Sequence, residues 1–138
     1  MLRVEARAPD LESGEITTRQ RATWDRMMAT EDLTVYVATV PSGEIVGIVT
    51  VLVMPNLGYD CHPSAFIEAM VVAEPHRRRG VGRLLVDRAL ADAAAASCRK
   101  VQLLTHKRHA TDGAHDFYRA MGFSAEAEGF RLYLDPAG

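Results

Sequence analysis

Three arginines followed by two spaced glycines, Arg77-Arg78-Arg79-Gly80-Val81-Gly82, form the stretch best suited to chemistry. It follows a β-branched run and precedes a helical one. Two glycines allow a tight turn with N–H groups pointing outward. Together with the positive end of a helix dipole, those groups suit a phosphate or pyrophosphate. Arginines add charge-assisted contacts to phosphate. The expected phosphate-binding set is therefore Arg77, Arg78, Arg79, Gly80, Val81, Gly82 and Arg83. The competing reading is a solvated basic loop that caps a helix. The string is not a P-loop, since GxxxxGK[ST] is missing, and it is not the dinucleotide fingerprint, since position 85 is Leu.

Other residues with chemical potential stand apart from this loop. Glu68 is a single carboxylate in the apolar run 64–73. Burial there would raise its pKa toward the range of a general base; the alternative is a structural carboxylate paired with an N–H or an arginine. Tyr118, beside Phe117, reads by itself as an amphipathic core residue. His106 and His109 flank Lys107-Arg108 at the end of a strand, where ligands bind in parallel sheets. They are placed to line an acceptor pocket, whereas HxxH fixes no third ligand and predicts no metal. His115 reads as a helix-surface residue. Cys61, in the loop 55–63, lacks a specified basic partner and is not expected to be a catalytic thiol. No GxSxG and no Ser/His/Asp arrangement is present.

These residues need elements to position them. Leu2, Val4 and Ala6 alternate, which allows a short strand. The segment from Glu15 to about Ala29 has helical composition. Residues 33–40 and 44–54 are β-branched, and Pro41-Ser42-Gly43 between them predicts a hairpin. Residues 64–73 predict a third long strand, apolar on both faces. A helix to about Ser97 follows the glycine loop, with Arg83, Asp87, Arg88 and Asp92 as one wet stripe on an otherwise apolar surface. Residues 100–106 predict a strand, Thr111–Met121 a helix ended by Gly122, and Phe123 onward two more short strands, the last at 130–134. Strand, helix and strand around 64–106 imply a parallel pair with a right-handed crossover, and the hairpin makes the sheet mixed.

The stretch VVAEPHRRRGVGRLLV, with FYRAMGF about 35 residues on, resembles the GCN5-related N-acetyltransferases over roughly residues 33–134. The resemblance implies an α/β fold with a mixed central sheet and flanking helices, as a single domain over 1–138. It implies acetyl-CoA as co-substrate, with its pyrophosphate on the Arg77–Gly82 loop and its pantetheine on the backbone of Met70, Val71 and Val72. It places Tyr118 beside the thiol as general acid and Thr111 where the family often has a cofactor-binding Asn. The implied reaction is direct attack of a primary amine on the thioester, without an enzyme nucleophile; Glu68 would then be the base. A non-catalytic acyl-CoA sensor on the same fold is the alternative. The first 30 residues look short for the family's opening strand and two helices, so a wall supplied by a second copy, as a homodimer, is expected. The stretch 67–72 and the CRKVQLL segment resemble the branch that acetylates glucosamine 6-phosphate.

Composition sets outer bounds. The chain has 138 residues, 48% of them apolar, enough for one core. A formal net charge of −2 and 7% aromatics argue against a basic nucleic-acid binder. No run approaches the roughly 20 apolar residues of a membrane span, and the first residues have no apolar signal core. Two widely spaced cysteines, Cys61 and Cys98, fit a reduced, cytoplasmic protein.

Overall fold

A computed structural model describes residues 3–6 and 15–136. Two compact units divide the chain after Leu103.

The first unit holds a five-stranded sheet in the order β1-β2-β3-β4-β5. β1 (Arg3–Ala6) confirms the strand expected at the start of the chain, and the polar stretch 7–14 lies outside the described residues. β2 (Leu33–Thr39) and β3 (Ile45–Met54) form the expected hairpin. Gly43 N–H donates to Val40 O at 2.8 Å and Val40 N–H to Glu44 O at 3.1 Å, which closes the Pro41-Ser42-Gly43 turn. β4 (Ser64–Val72) runs antiparallel to β3 and parallel to β5 (Lys100–Leu103). α1 (Thr18–Ala29) opens on a reciprocal cap: Thr17 Oγ1 accepts from Gln20 N–H, and Gln20 Oε1 accepts from Thr17 N–H. The 55–63 loop contains one left-handed turn, with φ of 50° at Tyr59, 56° at Asp60 and 64° at Cys61.

Packing centres on α2 (Val81–Ala95), the crossover between β4 and β5. Its buried face, Val81, Leu85, Val86, Ala89 and Ala93, meets the valines of β2 and β3 and Ala65 and Ile67 of β4. Gly47 of β3 lets the helix come close, because a Cβ there would lie 2.9 Å from Val81 Cγ1 and 3.0 Å from Leu85 Cδ1. The wet stripe of α2 is partly structural. Tyr36 is buried and donates its hydroxyl to Asp92 Oδ2 at 2.6 Å, with the Arg88 guanidinium 5.1 Å from its ring centre. Burial, then the bond to Asp92, pushes the Tyr36 phenol up.

The second unit, from Leu104, contains a 3₁₀ segment (Lys107–Thr111) and α3 (Ala114–Ala120). The strand expected at 100–106 stops at Leu103, because His106 caps the 3₁₀ segment through its own Nδ1, which accepts from Arg108 N–H at 3.0 Å. The helix expected from Thr111 begins instead at Ala114, after the left-handed Gly113. The two strands expected after Phe123 are absent among the described residues, and Phe130, Leu132, Tyr133 and Leu134 are exposed. A period-two pattern supplies a propensity, but a strand exists only where a neighbour completes its ladder.

Candidate functional site

β4 changes character halfway along its length. Ser64–Ile67 pair with β3 on one edge and with Lys100–Leu103 on the other. The β5 pairing then ends, and residues 68–72 keep only β3 as a partner among the described residues. On the β3 side, Thr50 faces Glu68 while Ile48 faces Val71, so Ala69 and Met70 together oppose Val49. This is a β-bulge. Its first extra residue, Ala69, has φ of 50°, a left-handed conformation that non-glycine residues rarely hold without a functional constraint. The outcome is a stretch of backbone with one unclaimed edge and a local kink, a surface that an extended ligand arm can join as a strand would.

The chain leaving β4 makes the glycine loop. Ala73 N–H donates to Val46 O at 2.9 Å, and Glu74–His76 form a 3₁₀ turn. Arg77 folds back, its Nε donating to Val72 O at 3.0 Å, so one of the expected phosphate-binding side chains also fastens the end of the strand. Arg78 has φ of 60° and Gly80 has φ of 84°, and α2 starts at Val81. A Cβ on Gly80 would meet nothing within 4 Å, so the left-handed backbone angle, and not crowding, is what favours glycine there. Gly82 is inside the first helical turn rather than in the bend, so it leaves that turn bare. The amides of Val81, Gly82 and Arg83 have no acceptor within the helix, and Arg77, Arg78, Arg79 and Arg83 are exposed around them.

Glu68 corrects an expectation. The carboxylate is exposed, not buried, because β5 has stopped pairing one residue earlier. The burial expected for this carboxylate is therefore missing. Met70 and Val72 are half-buried, and Val71 is 56% exposed.

The second unit holds Tyr118 and Thr111. Tyr118 stands edge-on to Phe117 at 5.1 Å and to Phe123 at 5.9 Å. Gly122, with φ of 97°, turns the chain so that Phe123 N–H donates to Tyr118 O at 3.0 Å. The spacing of FYRAMGF is thus a closed unit in which the glycine folds one aromatic ring onto another. Burial pushes the Tyr118 phenol up, which keeps it protonated at neutral pH. Thr111 ends the 3₁₀ segment and is exposed.

Two features lay outside the sequence reading. The bulge had no glycine to announce it. Asp112 had a readable signal, an Asp three residues after His109 and two before a helix start. Its Oδ1 accepts from Ala114 N–H at 3.1 Å, and its Oδ2 is bonded to His109 Nδ1. The bond from His109, then that from Ala114, holds the Asp112 carboxyl below the usual carboxylate range.

Residues 3–123 match the family described as "Acetyltransferase (GNAT) family". A solved structure from Agrobacterium tumefaciens str. C58, assigned as an acetyltransferase, is 34% identical, with 96% of this chain and 99% of that one covered and a TM-score of 0.84. Glucosamine-6-phosphate N-acetyltransferase from Arabidopsis thaliana shares the fold at 17% identity, with coverage of 98% and 99% and a TM-score of 0.82. AAC(6')-Iy, in complex with the bisubstrate analogue CoA-S-monomethyl-acetylneamine, shares it at 17% identity, with coverage of 99% for both chains and a TM-score of 0.76.

Proposed function

Since the chain belongs to the GNAT family of acetyltransferases, we propose that it moves an acetyl group from acetyl-CoA to a primary amine by direct attack. The observation that carries this reading is β4: a bulge at Ala69, an edge released from β5 beyond Ile67, and a left-handed Gly80 leading into α2. In this reading the pantetheine lies along Met70–Val72, and the pyrophosphate meets the amides of Val81, Gly82 and Arg83. Arg77, Arg78, Arg79 and Arg83 supply positive charge. A backbone N–H near Met70 polarises the thioester carbonyl. Holding cofactor and amine together supplies much of the rate. Tyr118, whose phenol is neutral at ordinary pH, gives its proton to the departing thiolate. Glu68, exposed at the bulge, attracts the cationic acceptor. Thr111 is a hydrogen-bonding neighbour of the cofactor.

An acyl-CoA sensor would need the loop but not a phenol beside the thiol, and the presence of Tyr118 together with the glycine loop favours turnover. Calorimetry with acetyl-CoA, followed by turnover with glucosamine 6-phosphate, sisomicin, spermidine and lysine, tests the proposal. Saturable binding and turnover of at least one amine are expected. Binding without turnover of any of them would favour the sensor, and no binding would end both readings.

A further inference from the structure

The end of the sheet where β4 and β5 begin brings both cysteines of the chain together. Cys61 closes the left-handed turn that starts at Tyr59, and Cys98 lies between the end of α2 and the start of β5. Two hydrogen bonds stitch these approaches to each other. His62 Nδ1 donates to Ser97 O at 2.9 Å, and Arg99 N–H donates to Pro63 O at 2.8 Å. His62 follows Cys61, and Ser97 and Arg99 flank Cys98, so the bonds hold the immediate neighbours of both thiols. β4 and β5 pair in parallel, with Ser64 opposite Lys100. Carried back two residues along the bonded approaches, that register sets His62 opposite Cys98 and Cys61 on the diagonal. Adjacent strands lie about 4.8 Å apart and one step along a strand is about 3.3 Å, so the diagonal is about 5.8 Å between Cα atoms. Disulfides span about 4.4–6.8 Å between Cα atoms.

Strand alternation would send the side chains of diagonal neighbours to opposite faces. Cys61 is released from that rule, because its φ of 64° takes it out of the extended strand, and Ser97, just before Cys98, has φ of 58°. The two thiols also differ in access. Cys61 is exposed and Cys98 is half-buried, and burial pushes the Cys98 thiol up. Cations gather at the turn that ends in Cys61, against one carboxylate, Asp60. Arg99 Cζ lies 5.9 Å and Lys100 Nζ 4.9 Å from the Tyr59 ring centre, and Lys100 Nζ donates to the Tyr59 hydroxyl at 3.3 Å. An exposed cysteine among cations is the one an oxidant meets first.

We propose that Cys61 and Cys98 form a reversible disulfide in response to peroxide, joining the starts of β4 and β5. The Cys61 thiolate attacks one oxygen of hydrogen peroxide. An S–O bond forms, the O–O bond breaks, and the hydroxide released takes up the proton that the Cys61 thiol gave away. The Cys98 sulfur then attacks the Cys61 sulfenic acid. The S–S bond forms as the S–O bond breaks, and the hydroxyl leaves with the Cys98 proton as water. Overall, two thiols and one peroxide become one disulfide and two waters; both sulfurs are oxidised and the peroxide is reduced. A dithiol reverses the step by exchange. Such a pair suits a reducing compartment, where disulfides are transient and redox-sensing. The bridge would close the chain from 61 to 98, which contains β4, the glycine loop and α2.

The test uses the full chain, reduced, freed of reductant and treated with a small molar excess of hydrogen peroxide. The intact mass should fall by about 2 Da, two hydrogens lost. The protein should stay at the monomer position on a non-reducing gel, and a digest should yield one peptide pair linking Cys61 to Cys98. Dithiothreitol should restore the starting mass. Cys98→Ser should stop at a Cys61 sulfenic acid that dimedone traps, and Cys61→Ser should react about tenfold more slowly or less. The urea midpoint of wild type should rise by about 1 M on oxidation, and those of the two variants should not. A disulfide between copies, a wild-type Cys61 that gains oxygen without the loss of two hydrogens, a link that forms only in urea, or an oxidised wild type less stable than the reduced one would overturn the proposal. None of these readouts uses acetyl-CoA, so each of those results leaves the acetyltransferase reading intact.

Discussion

The two halves of β4 differ more from each other than β4 differs from its neighbours. Ser64–Ile67 are paired on both edges, and Ser64, Ala65 and Ile67 are buried. Glu68–Val72 are kinked, paired on one edge among the described residues, and mostly exposed. Composition does not separate them, since SAFI and EAMVV are both largely apolar. What separates them is where β5 stops. One strand thus serves first as core and then, in the proposed reading, as a surface for the cofactor, so side chains in the first half are expected to matter to stability and backbone in the second half to binding.

Substitutions can break that division. Ile67→Ala should cost about 2–5 kcal/mol in chemical denaturation, because it opens a cavity under α2, while Val71→Ala should stay within about 0.5 kcal/mol. Equal losses would erase the contrast. Tyr118→Phe removes an oxygen and keeps the ring packed on Phe117 and Phe123. It should lower kcat about 10- to 100-fold, at or below the low end for general acid catalysis, with acetyl-CoA affinity kept. The pH dependence has a definite sign. Burial raises the Tyr118 phenol above its ordinary value of 10.0. The folded state therefore resists ionising it, and that part of the stability is present below 10 and lost as pH climbs through the raised value. Melts of wild type and Tyr118→Phe should diverge only at that alkaline end, with wild type falling faster. Gly82→Asp puts a carboxylate beside the expected pyrophosphate and should weaken acetyl-CoA binding more than tenfold, over about 1.4 kcal/mol in calorimetry, without lowering the melt. Ala69→Gly should raise the unfolding free energy from urea titration slightly, by up to about 1 kcal/mol, by relieving the left-handed backbone, whereas Ala69→Val should lower it.

The amino-acid pattern carries the long elements and both motifs well. The hairpin at 41–43, the crossover helix and the Gly122 stop are local events, dictated by residues within a few positions of one another. The early end of β5, the exposure of Glu68 and the lack of a strand at 130–134 among the described residues are not local. Each depends on which backbone edge finds a neighbour, and apolar periodicity is blind to edges. The bulge is harder still, because Ala69 holds an angle that its own side chain disfavours, so its cause lies in the surrounding ladder. His109 and Asp112 fall between these cases: the spacing was visible, but only the turn that bends them together gives it meaning.

Gly47 makes the sheet and the glycine loop mechanically one object. The absent side chain on β3 sets how deeply α2 seats, and the residue it touches first, Val81, is the opening residue of the helix. A methyl group at 47 would therefore act as a shim. It would lift the helix start by a few tenths of an ångström and carry the amides of Val81, Gly82 and Arg83 with it. A position with no chemistry of its own would thus calibrate the proposed anion cradle, and drift there is expected to detune cofactor affinity while every loop residue stayed the same.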